Sequence, residues 1–292
     1  MIYYPFRIII LQSLSHKALD YGHKKEEHMK SVILAGGFGS RLQEETVVKP
    51  KPMVEIGGRP ILWHIMKIYS YYGINEFVIA LGYKGDYIKE YFSKFDIINK
   101  NITVYLSKTG HPGVYRHPCN KEIQSFSEDW TVDLIDTGQS SMTGGRLLRI
   151  RDYIDDTFLA TYGDGLADVD IDKLVEFHKE QRKLLTVTAV RPPARYGSIK
   201  FSDDNSILEF EEKPVGGEGW INGGFFVMQK ETLDYIKNES ESFEKEPMAR
   251  LAKDRQIAAY KHYGFFQCMD TLREKTYLNE LWDKGEAPWK IW

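Results

Sequence analysis

The densest concentration of chemistry in the chain is Gly36-Gly37-Phe38-Gly39-Ser40-Arg41-Leu42, followed shortly by Lys49-Pro50-Lys51-Pro52-Met53. The glycines come directly after the apolar run Ser31–Ala35. At the carboxyl end of a buried strand, glycines let backbone N–H groups approach a ligand with no side chain in between. A polyphosphate suits such a loop: N–H groups face its oxygens, and Arg41 and Lys51 supply positive charge beside them. Pro50 and Pro52 fix the backbone on either side of Lys51, so its ammonium is held with little entropy left to lose. Two familiar phosphate loops are excluded. The dinucleotide fingerprint lacks its third glycine, Ser40-Arg41-Leu42 standing in its place, and G-x-x-x-x-G-K-[ST] occurs nowhere. A purely structural glycine turn is the competing reading, and the adjoining cations weigh against it.

Asp164 sits between Gly163 and Gly165 after the apolar run Thr157–Tyr162, and Asp270 follows the strand-like Phe266–Met269. Hard carboxylate oxygens on two strand ends suit one shared Mg²⁺, with phosphate oxygens and water completing its octahedron. Taken alone, the residues favour each aspartate as a turn former or helix cap, Asp270 especially, since a helix starts beside it. Ser140, Ser141, Thr143, Gly144 and Gly145 form a small polar loop where a flat base can approach the backbone; the alternative is a capped helix start at Thr143. Glu211-Glu212-Lys213-Pro214 after a strand reads, on the residues alone, as solvated turn. Asn222 precedes Gly223-Gly224 and carries a side chain able to grip a hydroxyl bidentately.

The elements that must position these groups alternate. Strands are expected at Ser31–Ala35, Phe77–Leu81, Ile102–Leu106, Val132–Ile135, Thr157–Tyr162 and Leu185–Val190. Helices are expected at Ile61–Tyr72, from a cap at Asp86 to Phe92, and at Ile171–Gln181. Continuous apolar strands separated by amphipathic helices predict a mixed, mostly parallel α/β sheet of Rossmann-like type, covered on both faces. The second half is more mixed. It has a hairpin of Ser198–Phe201 with Ile207–Glu211, strands at Gly223–Met228, Ile257–Tyr263 and Phe266–Met269, and a closing helix Thr271–Lys284. Ser107–Trp130, polar and proline-bearing, reads as a long loop or insertion.

Composition narrows the class. The chain has 292 residues, 42% hydrophobic and 28% charged, enough for a buried core and unlike a disordered protein. A net charge of −3 argues against a nucleic-acid-coating protein, and without a basic stripe Trp282, Trp289 and Trp292 read as core or subunit contacts. Cys119 and Cys268 are too few for a disulfide framework and fit a reducing cytoplasm. The apolar run Ile8–Leu11 is far shorter than the ~20 residues of a spanning helix, and no small-residue cleavage site follows it. Residues 1–28 are therefore expected to be a loose extension or the product of an upstream start. Residues 29–292 are expected to form a single domain.

Leu34–Leu42 with Lys49-Pro50-Lys51-Pro52-Met53 resembles the signature of sugar-1-phosphate nucleotidyltransferases. Further segments are similar to the branch of that family that transfers a cytidylyl group to glucose 1-phosphate: Glu44-Glu45-Thr46, Ile61–Met66, Asp136-Thr137-Gly138 through Arg146, Tyr162–Gly165, Ile221–Phe226, Met269-Asp270-Thr271 and Ala287–Lys290. Residues before Met29 and Ser107–Trp130 fall outside the resemblance. The resemblance implies the reaction CTP + α-D-glucose 1-phosphate → CDP-glucose + diphosphate, with Mg²⁺ on Asp164 and Asp270. It implies that Leu34, Ala35, Gly36, Gly37, Phe38, Gly39 and Ser40 cradle the nucleotide, that Arg41 takes the leaving diphosphate and that Lys51 bridges the reacting phosphates. It further implies that Ser141, Arg146 and Gly163 hold the nucleotide, while Glu212, Lys213 and Asn222 hold the sugar phosphate. The attacking phosphate oxygen is already ionised near neutral pH, so none of the eight histidines is needed as a base. The resemblance also implies a cytoplasmic homo-oligomer, a hexamer in close relatives, with no nucleic-acid or membrane partner, that supplies CDP-glucose for dideoxyhexoses of bacterial surface polysaccharide. Three rivals remain: uridylyl or thymidylyl transfer, a non-catalytic nucleotide-sugar sensor, and an NAD-dependent dehydrogenase. A sensor is expected to have lost Lys51, Asp164 or Asp270, and all three are present; the dehydrogenase lacks its third glycine.

Overall fold

Along Ser31–Ala35 successive side chains enter opposite layers of the protein: Val32 packs into one hydrophobic core, Ile33 and Ala35 into another. The same alternation runs through Glu76–Leu81, where Val78 and Ala80 face one core and Phe77, Ile79 and Leu81 the other. Period-two alternation with both faces apolar requires a sheet sandwiched between helical layers.

The computed structural model describes residues 29–39, 42–95, 102–105, 113–116, 128–191, 198–201, 207–211 and 219–292. Strands are β1 (Ser31–Ala35), β2 (Glu55–Ile56), β3 (Arg59–Pro60), β4 (Glu76–Leu81), β5 (Ile102–Tyr105), β6 (Gly113–Arg116), β7 (Thr131–Asp136), β8 (Thr157–Tyr162), β9 (Gly165–Ala167), β10 (Leu185–Val190), β11 (Ser198–Phe201), β12 (Ile207–Glu211), β13 (Ile221–Gln229), β14 (Ile257–Lys261) and β15 (Phe266–Cys268). Helices are α1 (Gln43–Thr46), α2 (Ile61–Tyr71), α3 (Gly85–Ser93), α4 (Thr143–Arg149), α5 (Ile171–Gln181), α6 (Glu246–Lys253) and α7 (Leu272–Asp283).

The main sheet has the order β14-β10-β13-β8-β1-β4-β7. β1 pairs in parallel with β4 and β8, β4 with β7, and β10 with β14; β13 alone runs antiparallel, between β8 and β10. The predicted mostly parallel, two-sided sheet is therefore present. The chain leaves β1 for β4 on one side and places β8 on the other, so the carboxyl end of β1 opens onto the crevice where such sheets bind ligands. Among the described residues no helix is long and apolar enough to cross a membrane.

Several expectations need correction. Ser107–Trp130 is not wholly loop, because β6 lies inside it and pairs antiparallel with β5. α3 is not capped by Asp86, which lies in its first turn; the N-cap is Lys84 in the left-handed region (φ 53°), with no side-chain cap. The helix α6 was not expected at all. The extension at residues 1–28 lies outside the described residues.

Candidate active site

The glycine loop leaves β1 at the carboxyl edge of the sheet. Leu34–Gly39, Lys51, Ser141, Arg146, Gly163 and Asp164 all line one cavity of about 360 Å³, together with Tyr162, Pro52, Thr143 and the neighbouring Ser140 and Met142. Gly39 is left-handed (φ 64°), and a methyl there would approach Thr46 Cγ2 to 2.8 Å, so both conformation and space require glycine. Thr46 Oγ1 donates to Leu42 O at 2.9 Å, closing the turn that follows the cradle. Ser40, Arg41, Glu212 and Lys213 lie outside the described residues.

Lys51 opens a short 3₁₀ turn, Lys51–Met53, closed by Met53 N–H on Pro50 O (2.8 Å) and Val54 N–H on Lys51 O (3.0 Å). Its neighbour Pro52 packs so closely that a methyl on Gly163 would lie 2.9 Å from Pro52 Cγ. Lys51 is 8% exposed, and its Nζ donates to Asp164 Oδ2 at 2.6 Å and to Asp270 Oδ1 at 2.5 Å. The two carboxylate oxygens are therefore at most about 5 Å apart, the sum of those distances. Burial pulls the Lys51 pKa down, and Asp164 and then Asp270 more than offset it, holding the ammonium above its ordinary value. One cation already sits between the two acids.

A two-stranded ribbon brings the distant aspartates together. β15 pairs antiparallel with β9, Cys268 opposite Gly165, and Met269 N–H donates to Asp164 O at 2.8 Å. Asp164 and Asp270 thus sit beside each other at one end of the ribbon. Asp270 is not the cap of the closing helix. Thr271 is, in a capping box: its Oγ1 accepts from Glu274 N–H at 3.3 Å, and Glu274 Oε2 accepts from Thr271 N–H (2.8 Å) and Asp270 N–H (2.7 Å). The Asp270 backbone is thereby pinned while its carboxylate points at Lys51. Cys268, opposite Gly165 on the ribbon, feels both acids: burial, then Asp164 and Asp270, raise its pKa, leaving a neutral thiol.

Arg146 is 4% exposed and wired mainly to backbone carbonyls. Nη1 donates to Leu81 O (2.9 Å), Thr137 Oγ1 (2.8 Å) and Gly138 O (2.9 Å); Nη2 donates to Gly36 O (2.9 Å) and Gln139 O (3.4 Å). The guanidinium therefore ties the ends of β1, β4 and β7 into one floor. A methyl on Gly36 or Gly82 would sit 2.2 or 2.3 Å from its atoms, which explains both glycines. The resemblance assigns Arg146 to the nucleotide; in the structure it lines the cavity and its hydrogen bonds also set the shape of the cradle.

The Thr143 helix-cap alternative fails: Met142 is the N-cap of α4, with no side-chain cap. Thr143 Oγ1 instead donates to Glu244 Oε2 at 2.6 Å, and Tyr162 O–H donates to Glu244 Oε1 at 2.7 Å. Asn222 Nδ2 donates to the Tyr162 hydroxyl at 3.2 Å, while Asn222 Oδ1 accepts from Gly224 N–H at 2.9 Å. These contacts use one lone pair of the amide oxygen and one of the two amide protons, so Asn222 keeps an acceptor and a donor for a substrate hydroxyl. Glu244 was not singled out from sequence, and Thr143 and Tyr162 were read only as a loop or cap residue and as part of a motif; their common partner lies 101 positions from Thr143, so no local spacing reveals it.

The sequence profile of the family described as Nucleotidyl transferase matches residues 30–271. A glucose-1-phosphate cytidylyltransferase of Salmonella typhi is 50% identical over 266 residues, covering 90% of this chain and 100% of that one. A probable glucose-1-phosphate cytidylyltransferase of Bacillus subtilis is 42% identical over the same spans. Among solved structures, HddC from Yersinia pseudotuberculosis superposes with a TM-score of 0.61 at 25% identity, over 87% of this chain and 99% of that one. A UDP-glucose pyrophosphorylase complexed with UDP-glucose, at 15% identity and a TM-score of 0.62 over 88% and 99% of the chains, shares the fold. Matched by that profile over residues 30–271 and by a relative 50% identical over 90% of its length, the chain belongs to the nucleotidyl transferase family.

Proposed function

We propose that the protein transfers a cytidylyl group from CTP to α-D-glucose 1-phosphate, giving CDP-glucose and diphosphate. The observation that carries this reading is Lys51, held by Asp164 and Asp270 at the mouth of a glycine cradle, in a chain 50% identical to a glucose-1-phosphate cytidylyltransferase. An ionised oxygen of the sugar phosphate forms a bond to the α-phosphorus as the bond to the diphosphate oxygen breaks, in line. No proton has to be removed, so the chain's tasks are to bring two polyanions together and to stabilise the charge on the reacting phosphates.

The Gly36–Gly39 backbone takes the triphosphate and Ser141 the base side. Lys51 turns from the carboxylates to the phosphates when they arrive, and Arg41 accepts the departing diphosphate. Asn222, with Glu212 and Lys213, takes the sugar phosphate. Asp164 and Asp270 fit a divalent cation such as Mg²⁺: both offer hard oxygens, and their spacing already accommodates one shared cation. When bound, that cation supplies charge neutralisation to the phosphate oxygens. We further read the protein as a cytoplasmic homo-oligomer that feeds the synthesis of dideoxyhexose-bearing surface polysaccharide, on the family resemblance.

The test is diphosphate release from CTP, UTP, dTTP and GTP against several hexose 1-phosphates, with and without Mg²⁺. CTP with glucose 1-phosphate and Mg²⁺ is expected to be fastest; a strong preference for UTP or dTTP would overturn the cytidylyl assignment.

A further inference from the structure

Resting on that reading of the cavity, we infer that Glu244 is a positioning residue that couples the nucleotide wall of the cavity to its sugar wall. Its two carboxylate oxygens hold one side chain on each wall: Thr143 at 2.6 Å, two residues after Ser141, and Tyr162 at 2.7 Å, two residues before Asp164. Each hydroxyl is fixed again from behind. Phe243 N–H donates to Thr143 Oγ1 at 2.8 Å, and Asn222 Nδ2 donates to the Tyr162 hydroxyl at 3.2 Å. One hydrogen-bond chain therefore runs from the base loop through Glu244 to Asn222. Its direction is unambiguous, because each hydroxyl has one proton and a carboxylate can only accept.

The segment bearing Glu244 is clamped to the base loop backbone to backbone. Gly144 N–H donates to Glu241 O at 3.1 Å, and methyls on Gly144 and Gly145 would lie 2.6 and 2.3 Å from Glu241 O and Glu239 O. Ion pairs brace the segment on both sides, Arg149 with Glu239 and Arg250 with Glu241, each at 2.5 Å. On the other wall the Tyr162 ring packs against β13, where a methyl on Gly224 would come within 2.4 Å of Cδ2. Burial and then Glu244 raise the Tyr162 pKa, so its hydroxyl stays a donor. Movement of Glu244 is transmitted to both walls, while the cradle, Lys51 and the aspartates have their own supports.

A position that only braces the fold would change melting temperature and leave both KM values alone. Glu244→Ala is expected to raise KM for CTP and for glucose 1-phosphate together, each about tenfold, with kcat falling less. Glu244→Asp keeps both acceptors on a shorter stem and should restore part of the loss. A double-mutant cycle of Tyr162→Phe with Thr143→Val, read in kcat/KM, should be non-additive when Glu244 is present and additive in the Glu244→Ala background. Unchanged KM values in Glu244→Ala, or a Tyr162–Thr143 coupling that survives the loss of Glu244, would overturn the inference. The cycle is run with whichever triphosphate the wild-type enzyme turns over. A different base preference thus defeats the cytidylyl reading alone, and additivity in the presence of Glu244 defeats this inference alone.

Discussion

Replacing Lys51 by methionine removes the ammonium from between Asp164 and Asp270 and fills most of its volume. The two carboxylate oxygens then face each other across at most about 5 Å, from contacts of 2.6 and 2.5 Å to the lost nitrogen. At an effective dielectric constant of about 20, two unit charges at that distance repel by about 3 kcal/mol. The Asp164 side chain is 28% exposed, so solvent screens part of this and about 1–3 kcal/mol remains. That repulsion is relieved by any cation placed between the acids. Nucleotide-free Lys51→Met should therefore bind Mn²⁺ about 5–150-fold more tightly than nucleotide-free wild type, despite having lost its turnover. Titration calorimetry, or the loss of the free Mn²⁺ paramagnetic resonance signal, reads this without any catalysis. Equal or weaker Mn²⁺ binding by Lys51→Met would refute the claim that the ammonium occupies the cation position of the free protein.

Other outcomes follow from the same geometry. Arg146→Met leaves Gly138 O and Gln139 O without that donor, while Leu81 O keeps Thr137 N–H and Gly36 O keeps Tyr83 N–H. Water can reach both acceptors, Gln139 being exposed and Gly138 half-buried, so the lost bonds cost about 1–2 kcal/mol, a fall of roughly 2–4 °C in melting temperature, with a raised KM for CTP; an unchanged melting curve would show the floor is held otherwise. Asp164→Asn should cut turnover by orders of magnitude while circular dichroism stays native, since the change removes one charge from the cation pair. His64 is fully buried, with Nε2 at 2.9 Å from Ile56 O and Nδ1 at 3.4 Å from Trp289 Nε1. Because the indole only donates and the carbonyl only accepts, Nε2 carries the proton and Nδ1 must stay bare. Burial accordingly pushes its pKa down to about 4. Between pH 6.5 and 4 the unfolded chain takes up a proton that the folded one refuses, so stability falls as pH drops through that window, by about 3 kcal/mol at its end. His64→Gln should flatten that part of the melting-temperature profile, and a profile as steep as wild type would exclude His64 as its cause.

What could be read from the sequence follows its physics. β1, β8 and β10 have the bounds that their apolar runs predict, because strands buried on both faces leave uninterrupted hydrophobic stretches, while β11 and β12 have those of the expected hairpin and α5 those of its helical spacing. The ribbon that joins Asp164 to Asp270 was half-hidden, since β9 is only Gly165–Ala167, too short for any period to show. α6 carries a proline in its first turn and basic residues in its last, signals that were present but weak beside its polar surface. Chemistry at single residues was legible as type and not as partner. Lys51 reads as a phosphate-directed cation, whereas its grip on two aspartates depends on a turn, a ribbon and a capping box meeting at one point. Arg146 was identified as a site residue, but its hydrogen bonds to carbonyls at the ends of three strands are revealed by no spacing along one segment.

The most direct measurement is a single competition. The purified protein receives equal CTP, UTP, dTTP and GTP with limiting glucose 1-phosphate and Mg²⁺, and the nucleotide sugars are resolved by mass. Their ratio reports relative kcat/KM for the four triphosphates. CDP-glucose should dominate, with one diphosphate released per molecule formed. A mixture led by another nucleoside diphosphate glucose, or no nucleotide sugar at all, would contradict the account.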